Sequence, residues 1–208
     1  MPFVKHEVSD PAAEDQRGEE PHALPIAALD SPDPEARWSA ARALGGDANA
    51  VPALAAALSK EQVLHVQEAL ITALMRIGDE ASVMALLPYL RSREPSLRSA
   101  VIEALQALPS AVLPFMASLL GDSDSDVRIL ATELARTLPE AETTRLLCEL
   151  LEREQHSNVC AAAIDVLAEV GTREALPALR ACAQRFAGTP FLPFAASTAI
   201  ARISGTES

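Results

Sequence analysis

Aromatic side chains are scarce in this sequence. They make up 3% of its 208 positions, with a single tryptophan, although 49% of residues are hydrophobic. The apolar mass is therefore alanine and branched aliphatics, which favour helix, and the aromatic and β-branched clusters that mark sheets are sparse. Three cysteines are too few for a disulfide framework and fit a reducing compartment. No run of 18 apolar residues occurs, which argues against a membrane span. The opening residues, Met1 to Glu7, lack the basic-then-apolar layout of an export signal, so the expected location is the cytoplasm. Positive charge is also short: 17 Lys and Arg against 29 Asp and Glu give a net −12. Such a field repels phosphate and argues against a nucleic-acid partner.

Chemical motifs are missing as well. The sequence has no phosphate-cradling glycine loop, no Gly-x-Gly-x-x-Gly and no His-Glu-x-x-His. Its four histidines are His6, His22, His65 and His156, and their spacing assembles no metal site. Cys148, Cys160 and Cys182 fall on separate helical segments and read as small apolar residues in the core. A reactive thiol at Cys160 is the sharper alternative. The resulting expectation is a protein that is not an enzyme and carries no cofactor and no metal.

Residues 1–22 are set apart by composition. Six acidic side chains face two basic ones there, a net −4, with little apolar content beyond Val8. A segment of this kind buries too little surface to offset its ordering entropy and reads as a mobile acidic tail. The other reading is a short docking peptide built on Phe3 and Val4.

From residue 23 onward the chain repeats itself. Leu44, Leu74, Leu105, Ala135, Leu167 and Ile200 recur at spacings of 30, 31, 30, 32 and 33. Three further apolar rows keep the same register: the row of Ala36, Val66, Leu97, Val127, Val159 and Leu192; that of Ala40, Leu70, Val101, Ala131, Ala163 and Ala196; and that of Ile77, Leu108, Leu138, Val170 and Ile203. Within a unit these rows sit at offsets that share one face of a helix. Another set, Leu29, Leu58, Leu90, Leu120, Leu151 and Ala183, marks a first helix in each unit. Joints such as Asp30-Ser31-Pro32-Asp33-Pro34 supply a helix N-cap and a first-turn proline. Paired helices this short cannot bury their apolar faces alone, so they must stack. The period predicts an all-α, right-handed α-solenoid of about six two-helix repeats over residues 23–205. The units fall near 23–46, 47–78, 79–109, 110–139, 140–171 and 172–205.

The segments Asp33-Pro34-Glu35-Ala36-Arg37 and Ser125-Asp126-Val127-Arg128, each leading into an alanine-rich helix, resemble HEAT repeats. A period near 31, with prolines inside several first helices (Pro52, Pro88, Pro114, Pro177), is similar to the short bacterial variety named after phycobilisome lyases. The likeness departs where Gln67, Cys160 and Pro193 replace the recurring arginine. Arg37, Arg98 and Arg128 themselves read as structural, paired with Asp33, Asp124 or Asp126.

In proteins of that family the second helices line a concave side where partners bind. On these helices the outward positions are Trp38, Glu68, Ser99, Ile129, Ala161 and Phe194, then Arg42, Thr72, Glu103, Glu133, Asp165 and Thr198. Consecutive carboxylates at Glu103, Glu133 and Asp165, flanked by apolar Trp38, Ile129 and Phe194, suit a basic or amphipathic protein segment. The same carboxylates also fit an ordinary solvated face, and Trp38 also fits a core cap. The resemblance implies a non-enzymatic scaffold or adaptor, in the narrower form an accessory protein of a bacterial chemosensory-type system. The alternative it implies is one subunit of a phycobilin lyase-type enzyme for attaching or removing chromophores.

Overall fold

A computed structural model describes residues 23–189 and 191–205. The expected tail, 1–22, lies outside the described residues. All regular structure among the described residues is helical: α1 (Ala23–Ala28), α2 (Pro34–Leu44), α3 (Val51–Lys60), α4 (Leu64–Ile77), α5 (Glu80–Leu86), α6 (Pro95–Gln106), α7 (Pro109–Val112), α8 (Met116–Leu119), α9 (Ser125–Ala135), α10 (Glu140–Arg153), α11 (Ser157–Val170), α12 (Leu176–Arg185) and α13 (Phe191–Ser204). Short 3-10 segments join some of them. No single helix among the described residues is long and apolar enough to cross a membrane.

Local chemistry sets the helix ends. Asp33 and Asp124 cap α2 and α9 by accepting the N–H of Glu35 and Asp126, which satisfies donors that no earlier turn can reach. Pro34 and Pro95 open α2 and α6 at positions where a missing N–H costs nothing. Pro88 and Pro114 act differently. They fall inside first helices and divert them into the 3-10 segments Leu87–Arg91 and Leu113–Phe115, because proline offers no N–H to continue the α ladder. Gly78 ends α4 in the left-handed region at φ 67°, and a Cβ there would stand 3.0 Å from Leu108, so glycine is needed both for the backbone and for the close approach.

The helices stack into an α-solenoid in which α2, α4, α6, α9, α11 and α13 form one layer and the first helices form the other. In the first of these layers each helix packs on the next, α2 on α4, α4 on α6, α6 on α9, α9 on α11 and α11 on α13. The periodic rows are its core. Leu44, Leu74, Leu105, Ala135 and Leu167 are buried, as are Leu54, Leu86, Met116, Leu147 and Leu179. Each leucine sealed in this way contributes roughly 1.5–3 kcal/mol relative to exposure. The row of Ala40, Leu70, Val101, Ala131, Ala163 and Ala196 is buried throughout, and its four alanines let facing helices draw close.

A polar series runs along the turns that join first and second helices. In five successive units a side chain near the start of the second helix donates to the carbonyl six residues earlier. Arg37 reaches Ser31 at 2.9 Å, Gln67 reaches Glu61 at 2.8 Å, and Arg98 reaches Ser92 at 2.7 Å. Arg128 reaches Asp122 at 2.7 Å, and the Cys160 thiol faces the Glu154 carbonyl at 3.8 Å. Gln67 and Cys160 therefore keep the donor that the arginine supplies elsewhere. Where the thiol bonds weakly, Arg185 of the next unit adds its own donors to the carbonyls of Leu151 at 2.5 Å and Glu154 at 3.1 Å.

The expected pairing of these arginines with Asp33, Asp124 or Asp126 is corrected. Those aspartates are shorter and Asp33 and Asp124 are occupied as helix caps, so two arginine forks cross to the next unit instead. Arg37 grips Glu61 through Nε at 2.7 Å and Nη2 at 3.0 Å. Arg128 grips Glu154 through the same atoms at 2.7 and 3.1 Å. Each glutamate also accepts two backbone N–H groups at the start of its own second helix. Bidentate pairing of this geometry is both directional and strong. The Arg37 guanidinium holds the Glu61 carboxyl down at about 2, against an ordinary value of 4.5. At Glu154, burial pushes the carboxyl up, but Arg128 and the backbone N–H groups outweigh it and the net shift is downward.

Candidate functional site

The layer of α2, α4, α6, α9, α11 and α13 carries the outward residues, and the structure divides them into groups. At one end, between α2 and α4, is an open cavity of about 310 Å³ lined by Trp38, Arg42, His65, Glu68, Thr72 and Arg76, among others. Trp38 is half-buried against the core and also lines this cavity. The Arg42 guanidinium lies 4.6 Å from the centre of that ring, a cation–π contact that holds both side chains in place. Gly45 allows α2 and α4 to approach here: a Cβ would meet the Ala73 backbone at 3.3 Å and the Arg76 stem at 3.5 Å. His65 stands 3.3 Å from Glu35 on the rim. The lining thus combines an aromatic ring, two guanidinium groups, a carboxylate and a hydroxyl.

Further along, the expected acidic centre is different in kind. Arg136 sits within it, 3.4 Å from Glu133 and 3.2 Å from Asp165, and also pairs with Glu169. Its hydrogen bond to Glu169, helped by Asp165 and Glu133, raises an already high pKa further, so the charge is permanent. One cation thus offsets part of the charge of three carboxylates on α9 and α11. Glu133 and Asp165 remain on the groove, while Glu103 and Glu68 are exposed on α6 and α4. Ile129 is half-buried and lines a separate cavity between α6 and α9. Phe194 is 70% exposed on α13 and Phe191 beside it 64%. The structure therefore joins Trp38, Arg42 and Glu68 in one place and Glu133 and Asp165 in another. Glu103, Ile129 and Phe194 stand apart from both groups.

Sequence reasoning missed Arg76 and His65 in the cavity, since both fall beside the outward rows rather than on them. It also missed Glu61 and Glu154. Their signal was present: Glu61 stands six residues before Gln67 and Glu154 six before Cys160, two of the three row positions where the arginine is absent. Among the cysteines, Cys160 and Cys182 are fully buried and Cys148 is half-buried. The neighbouring Cys182 and burial push the Cys160 thiol up, while Cys160 and Arg185 draw the Cys182 thiol down against its burial.

Stacked helical hairpins with an inner groove define the chain as a repeat protein of the α-solenoid class. The family model for HEAT repeats matches residues 23–106 and 112–187, and the chain belongs to the HEAT-repeat family. It is 37% identical over 150 residues to the bilin biosynthesis protein PecE of Mastigocladus laminosus, covering 70% of this chain and 55% of that protein. To the bilin biosynthesis protein PecE of a Nostoc strain it is 46% identical over 74 residues, 35% of this chain and 29% of the other. At best, then, the chain spans about half the length of these curated relatives. Among solved structures, the crystal structure of an engineered protein aligns with a TM-score of 0.45 and 21% identity, over 88% of this chain and 96% of the other.

These relatives correct the expectation that the chain is not an enzyme. Two proteins of bilin biosynthesis share long stretches of its sequence. The motifs absent from it exclude only the chemistries those motifs serve. A reaction accelerated by holding a reactive cofactor or substrate in place needs no such signature.

Proposed function

We propose that this chain is a subunit of a bilin lyase-type assembly, which handles a linear tetrapyrrole and presents it to, or removes it from, a protein acceptor. The observation that carries this reading is the 37% identity over 150 residues to a bilin biosynthesis protein. The cavity between α2 and α4 supports it. A bilin is a conjugated chain of pyrrole rings with two propionates, and the Trp38 ring offers a stacking surface with Arg42 and Arg76 as carboxylate partners. The rest of the inner groove is the surface on which the acceptor protein or a second subunit docks. Its mixture of carboxylates around Arg136 with half-buried Ile129 and exposed Phe194 suits a segment that is both basic and apolar. The relatives support bilin chemistry in preference to a role in chemosensory signalling.

The test is titration of the purified chain with a free linear tetrapyrrole, followed by absorbance and induced circular dichroism. A saturable red shift that is lost in the Arg42→Ala, Arg76→Ala double variant is the expected result. Unchanged spectra at tens of micromolar protein, with and without the second subunit and the apo-acceptor, would refute the reading.

A further inference from the structure

Three arginines occupy the same register position at the start of second helices, and two of them show what their fork is built to hold. Arg37 and Arg128 each donate to two turn carbonyls of their own unit and twice to a glutamate of the next. Arg98 makes the first contact, to Ser92 at 2.7 Å. Among the described residues it forms no ion pair. The residue standing where Glu61 and Glu154 stand, six before the row, is Asp122. It is one methylene shorter and is taken by Arg91. Arg98 instead lines an open cavity of about 220 Å³ between α6 and α9, together with apolar Leu90, Ile129 and Leu130, with Asp124 and Asp126, and with Arg91, whose charge Asp122 already pairs.

We infer that this cavity is a docking site for a glutamate of a partner protein, with the carboxylate on the Arg98 fork and a neighbouring basic residue meeting Asp124 and Asp126. The equivalent positions carry the argument, because there the carboxylate comes from a protein side chain of that length and meets the same fork. The two aspartates make the surroundings unfavourable to a lone anion, which selects a segment that brings its own cation. Ile129 belongs both to the lining of this cavity and to the outward positions of the second helices. The inference concerns a different cavity from the one assigned to the tetrapyrrole and stands without that assignment.

The experiment uses the full chain and the peptide N-acetyl-Glu-Leu-Lys-amide, followed through the arginine Nε–H signals in nitrogen-15 NMR spectra. The expected result is a saturable shift at Arg98, with none at Arg37 or Arg128, whose forks are filled. The Gln-Leu-Lys peptide should bind at least tenfold more weakly, and Arg98→Gln should abolish the shift. That variant keeps the turn contact, as Gln67 does in its own unit, so its backbone spectrum should match that of the parent chain. Glu61→Ala provides a second check. By emptying the fork of Arg37 it should create a new saturable shift there. An unmoved Arg98 signal, equal binding of the two peptides, or a folded Glu61→Ala variant with no new site would each overturn the inference. Propionate binding as tightly as the peptide would overturn the assignment to a protein segment.

Discussion

Replacing Glu61 with glutamine isolates what the arginine–glutamate pair contributes to the stack. The amide keeps the size of the side chain and one acceptor oxygen for the N–H groups of Gln62 and Val63 at the start of α4. It loses the charge that the Arg37 fork grips, in a place where the two side chains are only 17% and 5% exposed. A hydrogen bond to a charged group contributes about 1.5–3 kcal/mol. With two such bonds forming one pair, partly screened by solvent, the expected loss is about 2 kcal/mol at neutral pH. For a chain of this length that is a fall of roughly 4–8 °C in melting temperature. The loss should also be local, because a solenoid is held by contacts between neighbours. Hydrogen exchange should therefore quicken in α1 and α2 while α10 to α13 hold their protection. Acid should remove the difference. The folded carboxyl titrates at about 2 and the unfolded one near its ordinary 4.5, so the pair's contribution is complete above pH 4.5 and fades as pH falls toward 2. Differential calorimetry from pH 7 down to pH 2, on both proteins, measures this. A variant that melts within 1 °C of the parent at pH 7, or a gap that persists unchanged at pH 2, would refute the reasoning.

Three other outcomes are expected. Leu105→Asp places a carboxylate at a site with 0% exposure and should cost on the order of 4 kcal/mol or more; chemical denaturation would show a much earlier midpoint, and a loss below 1 kcal/mol would mean the row is not core. Arg136→Ala frees Glu133, Asp165 and Glu169 while costing only about 0.5–1 kcal/mol, since the pairs are partly exposed; fluorescence anisotropy should show tighter capture of a basic amphipathic peptide in the groove, and weaker capture would displace the docking surface from there. A thiol-reactive disulfide reagent at neutral pH should modify Cys148 alone in the folded protein and all three cysteines after unfolding, because Cys160 and Cys182 are sealed in the core; rapid native labelling of either would show that region opening.

The helical rows were legible because burial in a stacked repeat imposes one spacing on every unit. Leu74, Leu105 and Leu167 had to recur near every 31 residues, or one face of the stack would have been left wet. The glutamates were harder to find. Glu61 and Glu154 look like ordinary surface acids until the turns of adjacent units are placed side by side. Glu133 and Asp165 were visible as outward positions, but three carboxylates drawn from two helices cannot be assigned to the Arg136 guanidinium from spacing alone. Trp38 was found and left undecided between groove and core; it packs against the core and lines the cavity between α2 and α4 as well.

What the sequence determined by itself is the class of the fold. The period of the apolar residues and the capping chemistry of the turns are local or nearest-neighbour properties, and they act on each unit before any long-range contact exists. The tertiary structure alone decided which charges meet. An ion pair depends on angstroms between side chains of different units, and the twist and spacing of packed helices set that distance. The same arginine in the same register therefore grips a glutamate in two places and faces an open cavity in a third.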